Sequence, residues 1–171
     1  MASHVSRPII FPLSNPTSSA ECTAVDAYDW TDGKVVFASG SPFPPVVHKG
    51  RTYTPTQCNN MFVFPGIGLG TTVCGAAKVT DKMLYVAAEA LAGFVTKEEL
   101  EEGKIFPKVQ DIRAVSHAVA CAVIREAVQA GLSSKIRNTG ATKEHLDDLE
   151  NYVWSKMYDP QYVPIVEKVV N

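Results

Sequence analysis

Residues 8–42 of the chain read PIIFPLSNPTSSAECTAVDAYDWTDGKVVFASGSP. The apolar run 9–13 predicts a short, fully buried strand, and the apolar run 35–38 predicts a second one. Between them, Ser18 and Glu21 have the spacing of a capping box, which predicts that a helix begins there. A connection of about twenty residues between two apolar strands is typical of a right-handed βαβ crossover in a parallel sheet. We therefore expect an α/β fold.

The composition is that of a folded globular chain. It has 171 residues, 16 Lys and Arg against 18 Asp and Glu, a net charge of -2 and 46% hydrophobic residues, which allows one domain or two small ones packed together. No run of Lys or Arg supplies the positive potential that nucleic acid or an anionic membrane attracts. No segment approaches the roughly 20 apolar residues of a transmembrane helix. We expect small neutral or anionic ligands or other protein surfaces as partners, and neither nucleic acid nor membrane.

The second part of the chain is predicted to be helical. Prolines concentrate in the first part, whereas apolar residues recur at helical spacing after residue 81, over residues 111–131 and after residue 142. This contrast predicts an α/β region over residues 1–80 and a helical region over residues 81–171.

Three local patterns predict further elements. Residues 48–51 indicate a small hairpin inside a proline-rich loop, and Thr96 with Glu99 forms a second capping box. Pro65 is placed as the first residue of a helix. The glycines of that helix lack the spacing of a dinucleotide fingerprint. We expect them to let the helix lie close to neighbouring backbone; they are Gly66, Gly68, Gly70 and Gly75.

The cysteines indicate neither a zinc site nor a redox motif, because no CxxC pair occurs and no histidine stands at a metal-ligand offset. We expect buried free thiols, which suit a reducing compartment; they are Cys22, Cys58, Cys74 and Cys121. The first residues contain only a short apolar run bracketed by prolines, so we expect no signal peptide. We expect a cytoplasmic location and leave an organellar form open.

Small polar residues follow both predicted strands. Ser14 and Asn15 come after the first strand, and Ser39, Gly40 and Ser41 come after the second. Ligands of open parallel sheets bind beyond the carboxyl ends of the strands. The amide of Asn15 could hold a carboxylate, a hydroxyl group or a nicotinamide amide. Ordinary turn chemistry is the alternative for an asparagine that precedes proline.

A tandem pair, Asn59 and Asn60, precedes the third apolar run. If the backbone is extended there, the two amides point in opposite directions and both could contact a ligand. A loop or capping role is the alternative.

The acid and base groups are few. His117 lies beside apolar positions of the predicted helix 111–131, which is more typical of a boundary histidine than of a catalyst. Residues 98–102 form a solvated acidic run, and no nucleophile-elbow pattern occurs. We expect no catalytic general acid and base in this chain, and we expect the remaining histidines, His4, His48 and His145, to be exposed.

Three strings in order carry a family resemblance. They are IFPLSNPT at 10–17, FASGSPF at 37–43 and NNMFVFPGIGLG at 59–70, followed by IFP at 105–107 and DIR at 111–113. Together they closely resemble the malic enzymes, and the resemblance covers nearly the whole chain. It matches only the C-terminal third or so of a full-length malic enzyme.

The resemblance implies a doubly wound, Rossmann-like parallel sheet of which residues 1–80 form the second half, with a helical C-terminal region. It implies an oxidoreductase that converts L-malate to pyruvate and CO2 with NAD or NADP and a Mg or Mn ion. By the same resemblance, Asn15 contacts substrate and nicotinamide, Asn59 contacts malate, and Asn60 lies near the nicotinamide amide. The turn Ser39-Gly40-Ser41 is implied to flank the cofactor cleft.

The family's tyrosine acid, lysine base, substrate arginine, metal-binding acids and glycine-rich turn all lie upstream of the first matching string. We therefore expect no metal ligand in this chain and no decarboxylating activity from it alone. Its partners would be other copies or full-length malic enzyme subunits. Two alternatives remain open: a non-catalytic homologue that acts as an interaction module, and a fragment of a longer coding sequence.

Overall fold

The structure, a computed structural model, describes residues 1–136 and 148–159. The strands are β1 (Ile9–Ile10), β2 (Val36–Ser39), β3 (Val46–His48), β4 (Arg51–Tyr53) and β5 (Thr56–Gln57). The helices are α1 (Ala24–Trp30), α2 (Phe64–Cys74), α3 (Asp81–Ala92), α4 (Lys97–Glu101), α5 (Ile112–Gln129) and α6 (Leu149–Lys156).

The predicted βαβ crossover is confirmed. Strands β1 and β2 pair in parallel, with Ile9 opposite Val36, and α1 lies between them in sequence. The predicted hairpin is also confirmed, since β3 and β4 pair antiparallel around a turn that includes Gly50. An unpredicted strand, β5, pairs in parallel with the other edge of β2, so the sheet order is β1-β2-β5.

The first strand is shorter and more exposed than predicted. Only two of its residues pair with β2, and the side chains of Ile9 and Leu13 are 59% and 51% exposed. Within the described residues β1 has a neighbour along one edge only. Pro8 and Pro12 have no N–H group to extend the ladder. The prediction of a fully buried strand over residues 9–13 is therefore wrong.

The predicted start of the first helix is wrong. The capping box that opens α1 is formed by Thr23 and Asp26, whose side chains bond each other's backbone N–H groups. Glu21 instead accepts hydrogen bonds from the backbone and hydroxyl of Ser14. The capping box of Thr96 and Glu99 is present at α4 as predicted.

The helices α2, α3, α5 and α6 pack around a core centred on α5, which buries ten of its residues. Gly66 and Gly70 of α2 lie directly against α5, as predicted, whereas Gly68, for which the same role was predicted, has no neighbour within 4 Å of its Cβ position. Gly75, predicted inside this helix, instead ends it in a left-handed conformation at φ 62°. Part of the predicted helix after residue 142 lies outside the described residues.

A second, smaller core lies between the sheet, α1 and the hairpin, where the ring of Tyr28 stacks on that of Tyr53 with centroids 4.4 Å apart. The helical core recruits Phe62 and Val73 from before residue 80, and the division at residue 80 stays a prediction. Among the helices described, none combines the length and the apolar character needed to cross a bilayer.

The burial of two residue types differs from prediction. All four cysteines are free, but only Cys74 and Cys121 are buried, while Cys22 and Cys58 are half-buried. His48 was expected to be exposed, yet its side chain is only 12% exposed. It packs over Gly33, and its Nδ1 lies 3.0 Å from Oδ1 of Asp29.

Candidate functional site

The polar segments predicted from sequence meet at one edge of the sheet. Because β1, β2 and β5 are parallel neighbours, their carboxyl ends lie side by side. Ser14 and Asn15 follow the first, the turn from Ser39 to Ser41 follows the second, and Asn59 follows the third. Backbone hydrogen bonds tie the segments together, since the N–H of Cys58 donates to the carbonyl of Ser39 over 2.8 Å.

The side chain of Asn15 is held by the turn after β2. The hydroxyl of Ser41 donates to Oδ1 of Asn15 over 2.5 Å. The buried hydroxyl of Ser39 in turn donates to the carbonyl of Ser41 over 2.7 Å. Both serine hydroxyls are thus used inside the protein, whereas Asn15 itself is exposed. Its peptide bond to Pro16 is cis.

Gly40 lies where no side chain fits. A Cβ atom at this position would stand 2.3 Å from the carbonyl oxygen of Leu13. The N–H of Gly40 donates to the carbonyl of Pro12 over 2.9 Å, and its carbonyl accepts from Nε2 of Gln57, also over 2.9 Å. The turn is therefore fixed between both neighbouring strands. Its position requires a glycine because the neighbour is backbone, which cannot move aside.

The backbone is extended at only the first of the two asparagines, so the pair does not form the extended arrangement that the sequence suggested. Asn59 is extended (φ -134°, ψ 143°) and caps a 3-10 turn, Asn60–Phe62, by accepting at Oδ1 from the N–H of Met61 over 3.0 Å. Asn60 belongs to that turn and is exposed. Asn59 therefore caps this turn through its Oδ1, which leaves its Nδ2 without a hydrogen bond among the described residues.

The site is close to neutral in charge. The carboxylate nearest to Asn15 along the chain is Glu21, and the hydrogen bond from Ser14 lowers its pKa. Burial raises the pKa of the Cys58 thiol, which keeps it protonated at neutral pH. The polar groups at this edge are consequently mostly amides, hydroxyls and backbone dipoles.

Across the described ranges, 1–136 and 148–159, no three His, Cys, Asp or Glu side chains group closely enough to hold a metal ion. His117 sits elsewhere, on α5, and is buried as a boundary histidine. Its ring stacks on Trp154 at 4.5 Å between centroids, and its Nε2 lies 2.8 Å from the carbonyl of Glu150. Burial raises the pKa of the neighbouring Cys121 thiol to about 11. This thiol is therefore not a nucleophile near neutral pH.

The role of β5 in this site was not predicted from the sequence. Thr56 and Gln57 form a two-residue strand of half-buried polar side chains, with no apolar run to mark it. Gln57 nevertheless fixes the carbonyl of Gly40. The signal available in the sequence was position alone, because Gln57 stands two residues before the Asn59-Asn60 pair.

A parallel sheet with small polar turns beyond its carboxyl ends, followed by helices, is the arrangement of nucleotide-binding α/β proteins. A family model described as malic enzyme, NAD binding domain, matches residues 1–128. The chain belongs to this family, and the resemblance noted from its sequence strings is confirmed.

Curated relatives agree with this assignment. The chain is 49% identical over 162 residues to an NADP-dependent malic enzyme of Dictyostelium discoideum, covering 95% of this chain and 28% of that protein. It is 46% identical to a chloroplastic NADP-dependent malic enzyme of Oryza sativa subsp. japonica, covering 95% and 24% respectively. The chain thus spans about a quarter of the length of these relatives.

Solved structures with the same fold are also malic enzymes. The crystal structure of the Entamoeba histolytica enzyme superposes with a TM-score of 0.60 at 25% identity, over 88% of this chain and 27% of that one. The enzyme from Pyrococcus horikoshii gives a TM-score of 0.57 at 28% identity, over 86% and 30%. The predicted α/β, Rossmann-like class is confirmed.

Proposed function

We propose that this chain forms one wall of the substrate and cofactor cleft of a malic enzyme. The reaction is the oxidative decarboxylation of L-malate to pyruvate and CO2, with reduction of NAD or NADP. The observation that carries the proposal is the meeting of three polar segments at the carboxyl edge of the sheet, where Asn15 and Asn59 have their amides held in place. Amides suit a ligand that is a small hydroxy acid, because they bond carboxylate and hydroxyl oxygens without adding charge.

Each segment has its own role in this proposal. Asn15 binds substrate and borders the nicotinamide, Asn59 binds malate, and Asn60 binds the nicotinamide amide. The turn Ser39-Gly40-Ser41 borders the cofactor. Because both serine hydroxyls and the N–H and carbonyl of Gly40 bond inside the protein, this turn would border the cofactor as a fixed wall that holds Asn15.

The donor groups present at this edge fit a nicotinamide cofactor, because free amide N–H groups and a carboxamide can bond each other. When bound, the cofactor supplies the acceptor for the hydride that leaves malate. The described residues do not fit a Mg or Mn ion, since no group of three acidic, His or Cys side chains is present among them. We assign no step of the reaction to a metal held by this chain.

We further propose that the chain does not catalyse the reaction alone. It spans 28% of the Dictyostelium discoideum relative, and the family resemblance attributes the acid, the base and the metal ligands to upstream residues. Catalysis then requires partners that contribute the missing groups, such as full-length malic enzyme subunits; association with other copies of this chain would not supply them. Turnover of malate by the purified chain, with NAD or NADP and Mn, would overturn this proposal if it were lost in Asn15→Ala.

The roles of the asparagines can be tested in a hybrid enzyme. In this protein the 162 aligned residues of the Dictyostelium discoideum enzyme are replaced by those of this chain. We expect Asn59→Ala to raise KM for malate about tenfold, the usual cost of one hydrogen bond to a charged group. Asn60→Ala should instead raise KM for NADP. The opposite pattern, or equal effects on both constants, contradicts the assignment.

A specific observation favours a second function, that of an interaction module. Ile9 in β1 and Phe11 and Leu13 just after it are large apolar residues that are 59%, 38% and 51% exposed. Exposed apolar rows and unpaired strand edges attract partners. Sedimentation of the purified chain at several concentrations tests this reading, which predicts association. A monomer at every concentration contradicts it.

We propose a reducing compartment, the cytoplasm, for this protein. The four free cysteines support it, because such thiols persist where disulfides do not form. Relatives described as chloroplastic also occur. Fluorescence microscopy of the tagged chain should show a cytoplasmic location, and accumulation in plastids would contradict the proposal.

A further inference from the structure

We propose that Ser41 is a positioning residue for Asn15. Its hydroxyl holds the carboxamide in one orientation, with Oδ1 turned to the protein and the NH2 group presented to a ligand. The ligand in this inference is the one given by the proposed function. The orientation itself is a property of the chain and can be measured without any ligand.

The hydrogen bond defines which end of the amide is free. A serine hydroxyl carries one hydrogen, and the Ser41 hydroxyl donates it to Oδ1 of Asn15 over 2.5 Å. Among the described residues, Nδ2 of Asn15 makes no hydrogen bond. The oxygen keeps a second lone pair, but the bond from Ser41 fixes the plane of the amide and leaves both N–H donors of Nδ2 available to a ligand.

Ser41 is itself rigidly placed. It is 7% exposed, and its carbonyl accepts the hydroxyl of Ser39. The preceding residue, Gly40, is fixed at its N–H by Pro12 and at its carbonyl by Gln57. All three strand ends thus hold the turn that carries the Ser41 hydroxyl. A rotation of the Asn15 amide would break the bond to a group that cannot follow it.

Asn59 repeats the arrangement on β5. Its Oδ1 accepts from the N–H of Met61, which leaves its Nδ2 as the free end. At two strand ends the NH2 group of an asparagine is therefore left unbonded while its oxygen is held by the protein. Such donors bind carboxylate, carbonyl or hydroxyl oxygens and disfavour a ligand group that presents only N–H donors there, because donor would face donor.

The first test measures the orientation in the full 171-residue chain by NMR. We expect the order parameter of the Asn15 Nδ2 group to match that of its own backbone amide, and to remain high in Ser41→Thr, which keeps the hydroxyl. In Ser41→Ala it should fall below about 0.6, the range of flexible groups. An Asn15 amide that stays equally ordered in Ser41→Ala overturns the proposal.

The second test uses the hybrid enzyme and separates positioning from a loss of stability. We expect Ser41→Ala to lower kcat/KM for malate about tenfold, the effect of one hydrogen bond, with Ser41→Thr restoring most of it. Ser133→Ala is the matched control. It removes a hydroxyl that donates to the carbonyl of Cys74 over 2.8 Å, away from the site, so it should lower stability and leave kcat/KM unchanged.

The donor assignment has its own variant, Asn15→Asp. The carboxylate keeps the shape of the side chain and still accepts from Ser41, but it replaces the NH2 donors with an anionic acceptor. We expect kcat/KM for malate to fall at least about a hundredfold, because a hydrogen-bond donor is replaced by a carboxylate that repels the carboxylates of malate. Activity retained in Asn15→Asp overturns the donor assignment.

The outcomes separate this inference from the function on which it rests. If Asn15→Ala leaves the hybrid fully active, the proposed substrate role fails. If Asn15→Ala abolishes activity while Ser41→Ala resembles Ser133→Ala, the substrate role stands and the positioning role is overturned.

Discussion

The amide of Asn15 owes its orientation to a serine 26 positions further along the chain. The sequence indicates Asn15 as a candidate because polar residues after a strand reach the ligand edge of a parallel sheet. It gives no indication of Ser41 as its partner, because that contact depends on which strands become neighbours. The sequence also gives no indication that Glu21 bonds Ser14. Because Glu21 accepts the hydrogen bond of the Ser14 hydroxyl, it does not cap α1.

Ionisation of Tyr28 should lower the free energy of unfolding at alkaline pH. It is 1% exposed, and burial together with the nearby Tyr53 raises its pKa from 10.0 to about 12. The folded state favours the neutral phenol. The contribution of Tyr28 to the free energy of unfolding is therefore complete below pH 10 and is lost as the pH rises towards about 12. The loss is on the order of 2–3 kcal/mol.

Urea denaturation of the wild type and of Tyr28→Phe between pH 9 and 12 checks this linkage. The variant should lose less stability over that interval, because phenylalanine cannot ionise. Tyr158→Phe, at an 83% exposed position, should keep the wild-type dependence. Parallel curves for the wild type and Tyr28→Phe would show that Tyr28 does not titrate abnormally.

Gly40→Ala should destabilise the chain strongly. The new Cβ would stand 2.3 Å from the carbonyl oxygen of Leu13, and a backbone atom cannot move aside without shifting β1. We expect a loss of about 3 kcal/mol, at the upper end for overpacking. Gly93→Ala is the control, since its Cβ would lie 3.5 Å from the nearest atom. Equal stability of the two variants in urea contradicts the proposed close approach.

At the scale of elements, the strength of a local pattern decided what could be predicted. The apolar run of β2, the helical spacing of α3 and α5 and the Pro65 helix start were all predicted, because each is encoded in consecutive residues. β5 was missed, because two polar residues become a strand only by pairing with β2. The burial of β1 was overestimated, because burial depends on neighbours that its own sequence does not specify.

The glycines of α2 provide an element-scale prediction. A Cβ at Gly66 would stand 2.6 Å from Val119 and 2.7 Å from the carbonyl of Ser116, whereas one at Gly68 would meet nothing within 4 Å. Gly66→Ala should therefore cost about 1–3 kcal/mol by separating α2 from α5. Gly68→Ala should stabilise the helix by up to about 1 kcal/mol. Urea denaturation of both variants measures the contrast, and a stabilising Gly66→Ala contradicts the packing.

At the scale of the whole molecule, the chain combines two cores with a sheet whose carboxyl edge is the proposed ligand site. The family strings identified the malic enzymes from sequence, and the family model over residues 1–128 bears this out. What the chain does alone could not be predicted from its composition, because charge and burial describe a folded domain equally well whether its active site is complete or partial. The identity of the residues at the ligand edge decides what chemistry the chain can contribute.

The most direct test of this account is the rate of NADP reduction by the hybrid enzyme with L-malate and Mn. We predict turnover within about tenfold of the parent Dictyostelium discoideum enzyme, and a loss of at least about a hundredfold in Asn15→Ala, since the substrate then loses a hydrogen-bond donor. A folded hybrid without activity, or an Asn15→Ala hybrid as active as its parent, would contradict the claim that this edge of the sheet binds the substrate.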